Sequence, residues 1–182
     1  MKKLLLFIPL LLLVTSCGKA PKEELEPVPP GTTVTAVLTA NKTSLTASDT
    51  EEPFTVSIAT NENENAKYDV ELSAGTYLNT KSQVANQIGL KPGASIKSVS
   101  NALVYRLVID FYGTKGINFD VIGIDGETEE AIEPHETSIN PVDPDDGGRV
   151  LEYPLVGYVG WQIKNNTEFN KPSFYSVTII YS

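Results

Sequence analysis

The sequence predicts an all-β fold, an antiparallel β-sandwich with one short helix. Three observations carry that reading. Apolar and polar residues alternate along several short stretches, as where Phe54, Val56 and Ile58 interleave with Thr55, Ser57 and Ala59. That period of two belongs to strands with one buried and one wet face. Polar or glycine- and proline-bearing turns separate these stretches at short intervals, which is the spacing of a sandwich. The one cysteine, Cys17, lies ahead of the folded part, so the fold must stand on an apolar core without disulfides.

In chain order, the first element is a signal peptide over residues 1–16. Met1-Lys2-Lys3 is a basic start, and Leu4 to Val14 is apolar with Pro9 as its one interruption. The run is too short for a membrane-spanning helix, which needs about 20 apolar residues, and fits a secretory signal. Val14-Thr15-Ser16-Cys17 resembles the lipobox of bacterial lipoproteins. That resemblance implies a diacylglyceryl group on Cys17 and attachment to the membrane through this N-terminal lipid. Residues 17–31 then read as a tether. Its four prolines and its charges leave almost nothing to bury. Lys22-Glu23-Glu24 resembles the lysine-plus-acids signal that sends lipoproteins of Bacteroidota to the cell surface, although it starts several residues after the cysteine. It implies an outer-membrane, surface-facing protein. A charged linker without an address, on the periplasmic face, is the alternative.

Residues 32–182 form the expected β domain. Val34 to Thr39 opens it. Tyr68, Val70 and Leu72 alternate with Asp69, Glu71 and Ser73 to give the partner of the 54–59 strand, and Asn61 to Asn65 is the exposed loop between them. Thr80 to Leu90 breaks the pattern: Val84 and Ile88 are four apart, and Gly89, then Pro92-Gly93, end the run, so a short helix is expected near 80–90. Leu103 to Tyr112 is the strongest strand. Leu103, Tyr105, Leu107, Ile109 and Phe111 are expected on the core side. After a turn at Gly113 to Gly116, Ile117 to Ile124 is apolar on both faces in its second half, as in a central strand. Residues 125–148 are the longest irregular, acidic stretch. Val156 to Lys164 and Phe174 to Tyr181 are expected to close the sheet as a pair.

The stretch LTANKTSLTASDTEEPFTVSIATN, followed by Tyr68-Asp69-Val70, is similar to small immunoglobulin-like modules of Bacteroidota lipoproteins and glycosidases, including the BACON type. That similarity implies an immunoglobulin-like arrangement, and the succession of short strands and turns also allows a jelly-roll-like one. The resemblance covers about 45 residues. It leaves open whether 32–182 is one sandwich or a small module over 32–76 followed by a second over 77–182.

The formal charge is −9. Without Lys2 and Lys3, 12 of the 14 basic residues face 23 acidic ones, a charge of −11. Such a surface repels phosphate backbones, so nucleic acid is not an expected partner. His135 is the only histidine, and it sits in the acidic Glu133-Pro134-His135-Glu136 segment. With one histidine and no free thiol, a serine triad or a zinc site has little to be built from, and neither enzyme activity nor a cofactor is expected. Asp143-Pro144-Asp145-Asp146-Gly147-Gly148 carries carboxylates before glycines, as calcium loops do, but lacks the EF-hand spacing, so no metal site is expected there.

What remains is aromatic. Tyr153, Tyr158, Trp161, Gln162, Asn165 and Asn166 combine rings that stack on sugars with amides that meet hydroxyls, and they are the candidate glycan-binding set. Trp161 alternates with Val159 and Ile163, so packing in the core is its competing role. The functional expectation is a non-catalytic envelope lipoprotein that binds polysaccharide or assists a glycan-uptake system. The alternative is a structural subunit, adhesin-like or fimbria-like, or a module that binds an outer-membrane protein through a strand edge.

Overall fold

Strands dominate because the β-branched and aromatic stretches alternate, and the apolar face of each can be covered only by a second sheet. The computed structural model describes residues 33–60, 66–81, 85–112, 117–139 and 148–182. The expected signal peptide, Cys17, the tether, the loop at 61–65, Val84, the turn at 113–116 and the acidic run 140–147 lie outside these residues.

Among the described residues thirteen strands make two sheets, and every pair in them is antiparallel. Those of the first sheet are β1 (Val34–Leu38), β4 (Thr76–Asn79), β5 (Gln87–Leu90), β7 (Val104–Tyr112), β10 (His135–Ile139), β11 (Gly148–Tyr158) and β13 (Ser173–Tyr181). Their order is β10-β11-β7-β13-β5-β4, with β1 also on β13. One edge of β13 is thus shared: Ser173 and Phe174 pair with β5, and Val177 to Tyr181 pair with β1. The second sheet contains β2 (Phe54–Ala59), β3 (Lys67–Leu72), β6 (Ser95–Ser98), β8 (Asp120–Asp125), β9 (Thr128–Ala131) and β12 (Gly160–Lys164). It runs β2-β3-β6-β12-β8-β9. The only helix among the described residues is a single 3-10 turn at Ala40–Lys42.

The chain is therefore an all-β sandwich, and one apolar core lies between its sheets. Ile58, Tyr68, Val70, Leu72, Ile96 and Ile163 from one sheet meet Leu107, Ile109, Phe111, Val177 and Ile179 from the other. Position 76 is not a boundary in this arrangement. β1 pairs with the last strand, and β3 pairs with β6, so the first 45 residues of the domain share their sheets with the rest.

Four local expectations are corrected. Residues 87–90 are a strand, not the end of a helix: all four residues of β5 are buried, and the strand pairs with β4 on one side and β13 on the other. Asn86 turns the chain into it with φ of 62°. Gly89 serves packing here. The ring of Tyr77, its cross-strand partner, lies where a Cβ on Gly89 would come within 2.3 Å of the ring's Cζ.

On β7, alternation holds from Leu107 to Phe111, but Val104 is buried while Leu103 is 38% exposed. Register shifts in both neighbours, between Pro154 and Tyr158 and between Ile180 and Tyr181, re-aim this end of the strand.

Val156 to Lys164 is not one strand. The chain leaves the first sheet after Tyr158, beside Gly157 at φ of 95°, and enters the second at Gly160. β12 consequently pairs with β6 and β8, and not with β13.

Finally, part of the acidic stretch is ordered as β9 and β10. A two-residue turn at Gly126-Glu127 joins β8 to β9, with Gly126 at φ of 59°, a conformation that favours glycine at such a turn.

Candidate functional site

The chain crosses from β9 in one sheet to β10 in the other through Ile132, Glu133 and Pro134, and this crossing lines a pocket of about 240 Å³. Ile132 holds the crossing to the sheet by donating its backbone N–H to the carbonyl of Val121, 2.9 Å away. Phe119 and Val121 line the pocket from the start of β8, and Tyr153 from β11 opposite.

The inner wall is aromatic. Phe119 packs edge-on against Phe111 and Phe174, with ring centroids 5.0 Å away in both cases, and lies 6.4 Å from the ring of Tyr153. Such contacts fix the rings, since offset and edge-to-face pairs are the favoured arrangements.

Tyr153 is 1% exposed, and its hydroxyl has no hydrogen-bond partner. A buried hydroxyl left unpaired costs about 1–3 kcal/mol. Burial, and then the carboxylates of Glu133 and Asp120, hold this phenol's proton on well past the ordinary tyrosine range. Both carboxylates line the pocket and are themselves exposed. Asn166 donates its side-chain amide to Asp120. Lys164 is the cross-strand partner of Asp120, yet no ion pair joins them among the described residues, and none of the residues lining the pocket is cationic.

The six candidates read from the sequence divide. Tyr153 forms the pocket's inner wall, and Asn166 sets the Asp120 carboxylate that lines it. Trp161 is fully buried and packs in the core, as its alternation with Ile163 allowed; its indole Nε1 donates to the hydroxyl of Tyr68 at 3.0 Å. Asn165 is also fully buried and shapes the loop before β13: its amide donates to the carbonyls of Leu90 and Asn170, at 3.0 and 2.8 Å, and its Oδ1 accepts from the backbone and hydroxyl of Thr167. Neither can offer its side chain to a ligand in this fold.

Tyr158 lies at the far end of β8. Its ring occupies the space over Gly123, where a Cβ would come within 2.7 Å of the ring, and its hydroxyl donates to Glu130 at 2.5 Å. Gln162 sits half-buried on β12 between Lys97 and Ile122. These two do not reach the pocket.

Phe119, Asp120, Ile132 and Glu133 are the residues that sequence reasoning missed. The available signal was the apolar Ile132 between acids, an anchor point inside a stretch otherwise read as solvated loop.

Other chemistry is sparse. Among the described residues, no group of three or more histidine, cysteine, aspartate and glutamate side chains is arranged to hold a metal ion, and no helix is long and apolar enough to cross a membrane. His135 is half-buried at the start of β10, opposite Glu152.

Fold and site together define an all-β sandwich with a small, acid-rimmed, aromatic-walled pocket beside the crossing from β9 to β10. No protein-family model and no curated protein matches the sequence.

Proposed function

We propose that this protein is a non-catalytic lipoprotein of the cell envelope, tethered through Cys17 at the outer membrane and facing the cell surface, that binds a sugar residue of a glycan in the Tyr153 pocket. The observation that carries the binding half is the unpaired, buried hydroxyl of Tyr153 in an aromatic-walled pocket that Asp120 and Glu133 also line. Sugar rings present apolar faces to aromatic side chains and hydroxyls to carboxylates and phenols, and both chemistries meet here. The pocket is below the roughly 300–1,000 Å³ of sites for drug-sized ligands, so it suits one ring rather than an extended chain. The membrane half rests on the lipobox-like Val14-Thr15-Ser16-Cys17.

The two halves are tested separately. The Cys17→Ala protein should leave the membrane fraction, because each buried methylene of a lipid chain contributes about 0.8 kcal/mol and no other anchor is proposed. Continued sedimentation with membranes would refute lipid anchoring. A glycan array followed by calorimetry tests the pocket. Binding that is lost in Phe119→Ser, in a variant whose circular dichroism is unchanged, supports the reading, and silence across neutral, acidic and amino-bearing glycans ends it.

A further inference from the structure

We infer that the ligand group selected by this pocket is a cation, and that the sugar it takes is an amino sugar with its amine free and protonated. The inference rests on the glycan reading above and deepens it.

Four observations converge. Asp120 and Glu133 both line the pocket, and no cationic side chain among the described residues lines it with them. Asp120 accepts one hydrogen bond from Asn166, and a carboxylate has capacity for several more. Tyr153 lines the same pocket, and its buried hydroxyl keeps its proton and has no partner, so its oxygen lone pairs are unused. The chain as a whole is strongly acidic, which raises the local concentration of cations and lowers that of anions.

A neutral sugar would satisfy the hydroxyl but gain no charge attraction from the two carboxylates. An ammonium offers three N–H donors and a positive charge to three acceptors drawn from both sheets. An N-acetyl group removes the charge, and adds bulk to a pocket of about 240 Å³. The aromatic wall provided by Phe119 suits the apolar face of the ring that carries the amine.

The experiment is calorimetry on the full chain bearing Cys17→Ala, at mildly acidic pH, with three short oligosaccharides. One is of glucosamine, one of N-acetylglucosamine and one of glucose. The free-amine oligomer should bind at least about tenfold more tightly than the other two, a difference of about 1.4 kcal/mol. Added salt should weaken it selectively. Glu133→Gln should abolish the preference, and Tyr153→Phe should weaken binding without lowering the melting temperature, since it removes a hydroxyl that has no partner. Glu127→Gln, an equal change of charge in the β8–β9 turn, should leave the preference intact. If it erases the preference as Glu133→Gln does, the binding is diffuse attraction to an acidic protein and the site is wrong. Equal affinity for all three oligosaccharides overturns the cationic ligand while leaving the glycan reading standing. No binding of any of them overturns both.

Discussion

Trp161 and Tyr68 show how a single contact decides what a residue is for. The only tryptophan in the chain looks like a sugar-stacking ring when read with its neighbours Tyr158 and Asn165. In the fold its side chain is fully buried, and its one polar atom is satisfied by a hydroxyl 93 positions away. Burial, against the hydrogen bonds from Trp161 and Ser98, pushes the Tyr68 phenol up to about 12. Trp161→Ala should therefore lower stability by about 3–5 kcal/mol, the range for emptying a large aromatic site. Urea unfolding followed by circular dichroism measures this. A cost below about 1 kcal/mol would mean that the indole is not a core residue. Tyr153 is the counterpart: equally buried, equally aromatic, but with its hydroxyl unsatisfied. What sets Tyr153 apart from Trp161 is that its unpaired hydroxyl belongs to a residue that lines a pocket.

Among the elements, the hairpin of β4 and β5 is the sharpest departure from sequence pattern. Ile88 counts toward a helical spacing in the sequence, but Gln87–Leu90 is a strand because β4 and β13 pair with it on either side. Asn86 adopts φ of 62°, a left-handed conformation that asparagine tolerates better than most residues. Asn86→Ala should then cost about 1–2 kcal/mol, while Asn86→Gly should be close to neutral. The sign is diagnostic. In a helix alanine would be the most favourable replacement and glycine the least, so thermal melts of the two variants in reversed order would restore the helix. A similar point holds for β9, whose four residues are all exposed and two of which are glutamates. Charges on an outer strand discourage pairing with another sheet.

For the molecule as a whole, the pairing of β1 with β13 ties the start of the domain to its end, and one core spans both sheets. Unfolding should be a single transition, the same by tyrosine absorbance and by circular dichroism. Its dependence on alkaline pH has a definite sign. Tyr68 and Tyr153 both hold their protons more tightly in the fold than the ordinary value of 10.0. Their contribution is intact below pH 10 and is lost as pH rises toward the folded values, because the unfolded chain then releases protons that the fold retains. The melting temperature should fall from about pH 10 through about pH 12, and the fall should be shallower in Tyr153→Phe. A melting temperature that is flat over this range would show that the two phenols are less buried than the fold places them.

Sequence alone determined the class of this protein. Alternation is a local property, and with a period of two it commits each stretch to a face, so β1, β2, β3 and the inner positions of β7 from Leu107 onward were legible. Turns at Pro92-Gly93 were legible for the same reason, since glycine and proline restrict the backbone wherever they stand. Partnership was not. Which strand follows which in a sheet depends on long-range pairing, and nothing near Val156 to Lys164 records that the chain changes sheets there. β9 and β10 have little apolar character of their own and become strands because β8 and β11 offer them open edges. The pocket belongs to the same class of fact. Phe119, Asp120, Glu133, Tyr153 and Asn166 are scattered over nearly 50 residues, and only the packing of two sheets and the crossing between them brings an unpaired phenol and two carboxylates around one pocket.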